Sequence, residues 1–297
     1  MKVGIPKGLL YNNYKPFFHT FFEELGAELI VSSDTNRDTL NNGVKYCVDE
    51  ACLPIKIFHG HVAEIKDHCD LILIPRIMQL REREFICPKF CGLPEMVINS
   101  IPDMPKATMA PIYAMSKERL FKWAKVVGRE VNNNSGRLNK AFEAAVQCQL
   151  NYKTGINDDS SPMKVALAGH PYNIYDNYIN MNIVKKLSKL GVGVVTEEII
   201  DEAAKDKEIS KLYKRPFWSF ARDNYSFTSI AAEKKLVNGI IYISSFACGI
   251  DSVVVELIKE NVKDFPLLIL KVDEHTGEAG LDTRIEAFVD MLERRNS

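Results

Sequence analysis

No apolar run in this 297-residue sequence approaches the roughly 18 residues that a membrane-spanning helix needs. Excess charge of either sign is also missing. Lys and Arg total 38 against 39 Asp and Glu, for a net charge of -1. No basic run interleaves with aromatics, which argues against a nucleic-acid surface. Neither a G-x-G-x-x-G fingerprint nor a P-loop occurs, so the familiar nucleotide-phosphate cradles are excluded. There is no Cys-x-x-Cys pair among the seven cysteines, and their odd number speaks against a disulfide framework. The N-terminus, Met1-Lys-Val-Gly-Ile-Pro6, opens directly into a strand without a signal-peptide pattern. The expectation is a cytoplasmic protein with neither a membrane nor a nucleic acid as partner.

What is present reads as a globular chain, with 46% hydrophobic and 26% charged residues. Two apolar runs with β-branched residues, 240–243 and 267–272, read as buried strands. Each passes through a polar, glycine-bearing turn into a helical pattern, at 252–259 and 283–292. Strand, loop, helix, repeated, predicts parallel α/β, in which ligands sit at the carboxyl ends of the strands. The first half offers strands at 2–5, 28–32, 71–75 and 107–110, and helices at 14–25 and 54–65, whereas 39–51 reads as irregular. The second half repeats this order: Lys2-Val-Gly-Ile and its loop align with Lys164-Val-Ala-Leu and its loop, and Leu25-Gly26 with Leu190-Gly191. The prediction is two similar doubly wound, Rossmann-like parallel-sheet domains, 1–115 and 164–297. A helical connector, 116–163, joins them, and the site lies in the cleft between the domains.

The candidate chemistry begins with the cysteines. Cys52 and Cys87 each stand next to a proline at a helix start, and Cys248 lies between a strand and a helix. A helix amino end stabilises thiolate, and thiolate is what a soft metal binds. The spacing leaves two readings open, a bound metal or inert buried thiols; Cys69 and Cys148 read as inert. The 273–280 loop holds three carboxylates, one imidazole and two glycines. Its Glu274, His275 and Glu278 are candidates for substrate or proton handling. Thr283 reads as a helix cap, with Glu286 completing a capping box. His170 follows a strand in Gly169-His170-Pro171-Tyr172, whereas His59 and His61 read as structural. The 6–11 loop, with Gly8 ahead of a helix, is a possible anion cradle, and Arg76, Arg81 and Arg83 read as a solvated face.

The 273–288 stretch, Gly169-His170-Pro171-Tyr172, Cys52-x-Pro54-x-Lys56-x-x-x-Gly60-His61 and Ser245-Phe246-x-Cys248-Gly249-x-Asp251 together resemble the acyl-CoA dehydratase activase-related proteins. These are relatives of the 2-hydroxyacyl-CoA dehydratase and benzoyl-CoA reductase subunits, and the resemblance covers nearly the whole chain. It implies an oxygen-sensitive iron–sulfur protein with a [4Fe-4S] cluster on Cys52, Cys87 and Cys248, Cys91 being the substitute ligand. It also implies an ATP-driven iron–sulfur activator as electron donor, and low-potential electron transfer or reductive chemistry on a small ligand of the acyl-CoA kind. His170, Glu274, His275 and Glu278 would serve as proton or substrate groups. Lacking a nucleotide-phosphate motif, the chain is not itself the ATPase activator. Two alternatives stand beside this reading. One is a metal-free module that closes on an anionic or acyl ligand, with structural cysteines. The other is a structural zinc protein using Cys87 and Cys91.

Overall fold

A computed structural model describes residues 1–296 and divides the chain into two compact units, one ending at Lys153 and one starting at Thr154. The first unit runs β1 (Lys2–Ile5), α1 (Tyr11–Leu25), β2 (Glu28–Val31), α2 (Arg37–Tyr46), α3 (Leu53–Ile65), β3 (Leu71–Ile72), β4 (Ile77–Gln79), α4 (Pro88–Cys91), α5 (Leu93–Ser100), β5 (Lys106–Ala107), β6 (Ile112–Tyr113), α6 (Lys117–Val131) and α7 (Ser135–Asn151). Its parallel sheet has the order β2-β1-β3-β5, with β4 and β6 as a separate parallel pair. The helices of the expected connector, α6 and α7, pack within this unit. Trp123 of α6 and Phe142 of α7 lie against Phe17 of α1, with ring centroids 6.0 and 6.2 Å away.

Helix α1 carries Pro16 in its interior, which removes the N–H that would have bonded to the Asn12 carbonyl. α7 repairs the break. Tyr152 Oη donates to Asn12 O at 3.2 Å, Gln149 Nε2 donates to Asn13 O at 2.8 Å, and Phe17 N–H donates to Gln149 Oε1 at 3.3 Å. Of the stretch expected to be irregular, 39–46 is instead the greater part of α2, whereas 47–51 is irregular as expected. Asn36 caps this helix by accepting from the backbone N–H groups of Asp38 and Thr39, and the Asn36 N–H in turn donates to the Thr39 hydroxyl oxygen. α2 crosses α3 at two glycines. A Cβ on Gly43 would stand 2.1 Å from the Lys56 carbonyl oxygen, and one on Gly60 1.9 Å from that of Thr39.

The second unit runs β7 (Met163–Gly169), α8 (Pro171–Ile174), α9 (Ile183–Lys189), β8 (Val192–Val195), α10 (Glu202–Ile209), α11 (Ser219–Glu233), β9 (Gly239–Ser245), α12 (Gly249–Asn261), β10 (Leu267–Val272) and α13 (Glu278–Asn296). Its sheet, β10-β9-β7-β8, is also parallel throughout. Counted within each four-stranded sheet, both follow the same order: second strand, first, third, fourth. β9 is buried at every residue, as expected of a central parallel strand covered on both faces. α11 is buried from Ser219 to Ala231 despite its polar residues. Arg222, 1% exposed, is held there by Glu202, Asp206 and Asp223 at 2.7–3.0 Å. The capping box expected at Thr283 is corrected. α13 begins five residues earlier, and the Thr283 hydroxyl donates to the Ala279 carbonyl from inside the helix. No helix among the described residues is long and apolar enough to cross a membrane.

Candidate metal centre

In the second sheet, strand order reverses between β7 and β9. The chain leaves β7 in one direction for β8 and leaves β9 in the other for β10. The crevice beyond the carboxyl ends of two such strands is where open α/β sheets bind ligands. At that end Gly169 has φ +145°, and a Cβ there would lie 2.4 Å from the Ile243 carbonyl oxygen, so only glycine lets β7 come this close to β9. The Gly169 N–H donates to Asn224 Oδ1 at 2.8 Å. The next residue, His170, stands at the amino end of α8 with Pro171 behind it. Asn173 then ties α8 to the end of β9. Its Oδ1 accepts from Ser245 Oγ at 3.0 Å and its Nδ2 donates to Ile243 O at 3.4 Å.

β9 turns into α12 through Ala247, whose φ of +59° is a left-handed conformation seldom taken by a residue with a side chain. The turn sets Cys248 at the cap position of α12 and Asp251 on the same turn three residues on. His170, Cys248 and Asp251 are the group of donors that this end of the sheet brings together. A ring nitrogen, a thiol sulfur and a carboxylate oxygen all lie within 4.8 Å of one another. His170 Nε2 faces Asp251 Oδ1 at 3.3 Å, and both residues are 1% exposed. Nε2 and the other carboxylate oxygen, Asp251 Oδ2, are buried without a hydrogen-bond partner. The remaining polar atoms are occupied. Tyr172 Oη lies 2.5 Å from His170 Nδ1, and Tyr242 Oη donates to Asp251 Oδ1 at 2.7 Å. Complete burial, and then the negative charge of Asp251, push the Tyr242 phenol well above its ordinary value, so it stays protonated as a donor.

This arrangement separates two chemistries. A Cys-His-Asp nucleophile relay needs the two imidazole nitrogens to face opposite partners, thiol on one side and carboxylate on the other. Here Tyr172 takes Nδ1, and Asp251 faces Nε2. Three different donors converging on one point, two of them with orphaned buried atoms, match a metal better. An N, S, O set of this kind suits a borderline ion such as zinc or iron, with positions left open. The two tyrosines orient the His170 ring and the Asp251 carboxylate, the kind of outer contact that a metal ligand would need.

The other expected residues lie elsewhere in their units. Cys52 and Cys87 occupy the cap positions of α3 and α4 without a side-chain capping bond, each with proline in the first turn. Burial pushes the Cys47 thiol up, and Cys52 and Lys89 are close enough to act on it electrostatically. Burial pushes the Cys69 thiol up to about 11, and its Sγ donates to the Ile65 carbonyl oxygen at 3.4 Å. Beyond β10, the 273–276 turn closes on itself. Asp273 Oδ1 accepts from the His275 N–H at 3.0 Å and from the Thr276 hydroxyl at 2.7 Å. Burial raises the Asp273 carboxyl, but these bonds outweigh it and hold the group below its usual range. His275 is exposed, and Glu278, also exposed, pairs with Lys186 at 2.8 Å. His59 and His61 are buried structural residues, bonded to the Ile55 carbonyl and to the Thr35 hydroxyl. Sequence reasoning passed over Asp251 as a site residue, along with Tyr172 and Tyr242. The spacing Cys248-x-x-Asp251 at a helix start was the available signal.

A search of curated proteins finds no match. Among solved structures, one similar chain is a mutant Mn-bound periplasmic metal binding protein from candidatus liberibacter asiaticus. It is 9% identical over 99% of each chain, with a TM-score of 0.26, a likeness too low to carry an argument. Residues 2–200 match a family described as the CoA enzyme activase uncharacterised domain, a span that includes His170 and ends before Cys248. With two thirds of its length matched, the chain belongs to that CoA enzyme activase domain family (DUF2229).

Proposed function

We propose that the second unit holds a divalent transition metal on His170 Nε2, Cys248 Sγ and one Asp251 oxygen. The chain would then act as a metal-dependent small-molecule-binding component of an activase-related system. The observation that carries this reading is the convergence of the three donors within 4.8 Å. Metal–ligand bonds of about 2.0–2.3 Å set neighbouring donors of a tetrahedral site roughly 3.5 Å apart, so the group needs only small shifts to close on an ion. Thiolate and carboxylate together would neutralise a dication. With three protein ligands, coordination positions remain for a ligand oxygen, which the metal would polarise as a Lewis acid. The test is zinc, iron and acid-labile sulfide content after purification without oxygen. The expected result is one metal ion per chain without sulfide, lost in Cys248→Ser and in His170→Ala. Full metal retention in Cys248→Ser, or no metal after reconstitution, would sink this reading.

The second reading is the [4Fe-4S] cluster on Cys52, Cys87 and Cys248, with Cys91 as substitute, a low-potential centre served by an ATP-dependent activator. It belongs to the dehydratase and benzoyl-CoA reductase resemblance. It is favoured by one shared feature, that all three cysteines stand at helix amino ends where thiolate is stabilised. In this reading His170, Glu274, His275 and Glu278 serve as proton or substrate groups. About four irons and four sulfides per chain, lost in Cys52→Ser, would select it over the mononuclear site.

A further inference from the structure

The first unit contains a cavity of ≈ 360 Å³, independent of the metal centre, walled by Phe17 and Phe18 of α1, Ile77 of β4, Leu120 of α6, and Val146 and Leu150 of α7. That volume lies in the range of small-molecule sites, about 300–1,000 Å³. The polar groups around it are already committed. Gln149 spends both its Oε1 and its Nε2 on the α1 backbone beside Pro16. Ser116 Oγ accepts from the Arg119 N–H as the cap of α6. Water needs two to four polar partners, and these mostly apolar walls offer few, so an apolar group displaces water from the space at little cost. Lys117, which also lines the cavity, is the exception. It pairs with Glu143 at 2.6 Å, but both side chains are about half exposed, and exposed pairs exchange partners at little cost.

We propose that this cavity takes the hydrocarbon chain of a straight-chain fatty carboxylate, with the carboxylate at Lys117. The walls select the chain by excluding anything that needs hydrogen bonds inside. The bond from the Phe17 N–H to Gln149 Oε1 ties the wall at Phe17 to α7.

The test titrates the full chain with carboxylates from hexanoate to tetradecanoate. Binding is followed by calorimetry and by Trp123 fluorescence in a Trp218→Phe background; the Trp123 ring lies tilted against Phe17 and edge-on to Phe18, with centroids 6.0 and 5.8 Å away. The dissociation constant should fall about fourfold per added methylene and level off once the cavity is full. Val146→Phe, which fills the space, should weaken the longest tight binder tenfold or more. Lys117→Ala should weaken carboxylates but not the matching alkanols. Affinity independent of chain length, or Lys117→Ala weakening both head groups equally, overturns the proposal. The wild-type chain-length series decides even if Val146→Phe fails to fold. Metal content plays no part in the readout, so this result stands or falls apart from the metal site.

Discussion

At His170 one proton decides what the site can hold. Nε2 can bind a metal only if its lone pair is bare, so the ring hydrogen must sit on Nδ1 and be donated to the Tyr172 oxygen 2.5 Å away. Tyr172→Phe removes that acceptor, and zinc affinity should fall about 10- to 100-fold in chelator competition, with the melting temperature of the metal-free protein little changed. Unchanged affinity would mean that Tyr172 does not set the tautomer. A second histidine acts on stability. Burial, and then the charge of Lys7, lower His61 from 6.5 to about 4. Between those values the unfolded chain binds a proton that the folded chain refuses. The stability from neutral His61 is therefore complete above about pH 6.5, declines as pH falls toward 4, and changes no further below it; the span is about 3 kcal/mol. In urea unfolding followed by Trp123, His61→Gln should show a smaller loss than wild type between pH 7 and 4.5; parallel losses would refute the assignment. Cys248 and Asp251 offered a pairing signal, since three residues apart at a helix start means one turn, but Asp251 was passed over. His170 was legible as a loop-end histidine, but its partnership with them was not, because it depends on β7 lying beside β9. The 277–280 glycines read as loop, yet α13 starts at Glu278 and a Cβ on Gly280 would meet open space.

Two helix contacts make the elements of the first unit depend on single residues. Gln149→Ala would strand the Phe17 N–H and the Asn13 carbonyl next to a helix already broken by Pro16. A loss of about 1–3 kcal/mol is expected, the range for unsatisfied buried polar groups, read as a lowered urea midpoint. Gly60→Ala forces a methyl against the Thr39 carbonyl oxygen, and α2 and α3 must separate. It should cost about 1–3 kcal/mol or more, whereas Gly92→Ala, with nothing within 4 Å, serves as the control. Equal stability of the two alanine variants would show that the α2–α3 crossing is not tight. β9 was legible because a strand covered on both faces is written as an unbroken apolar run; β10 was legible as a strand too, but at the sheet edge it is only partly buried, not buried as expected. α2 was not, since its asparagines and Gly43 look like loop residues until Asn36 is seen to cap and Gly43 to meet Lys56. α11 hides for the opposite reason. It is buried almost all round, so Arg222, Asp223, Asn224 and Ser226 sit where apolar residues are expected, and only their hydrogen bonds account for them.

For the whole molecule, the repeated strand order could be read from the internal match of Lys2 and Lys164 and their loops, because in parallel α/β the order of elements along the chain constrains topology. The extent of the first unit could not. α6 and α7 carry few special residues, and their apolar faces reveal a destination only when Trp123 and Phe142 are seen against α1. The division into two units gives the metal proposal a test at this scale. His170, Cys248 and Asp251 all belong to the second unit, and Cys248 is the only cysteine beyond residue 153. Each unit also carries one of the two tryptophans, Trp123 and Trp218. Binding to a folded site stabilises what contains it, by about 2.7 kcal/mol at one hundred times the dissociation constant. Zinc, or iron without oxygen, should therefore raise the unfolding midpoint reported by Trp218 in a Trp123→Phe background. The midpoint reported by Trp123 in a Trp218→Phe background should stay put, and Cys248→Ser should abolish the difference. A shift shared equally by both tryptophans would place the stabilising metal elsewhere than on the second unit alone, as a cluster drawing on Cys52 and Cys87 requires.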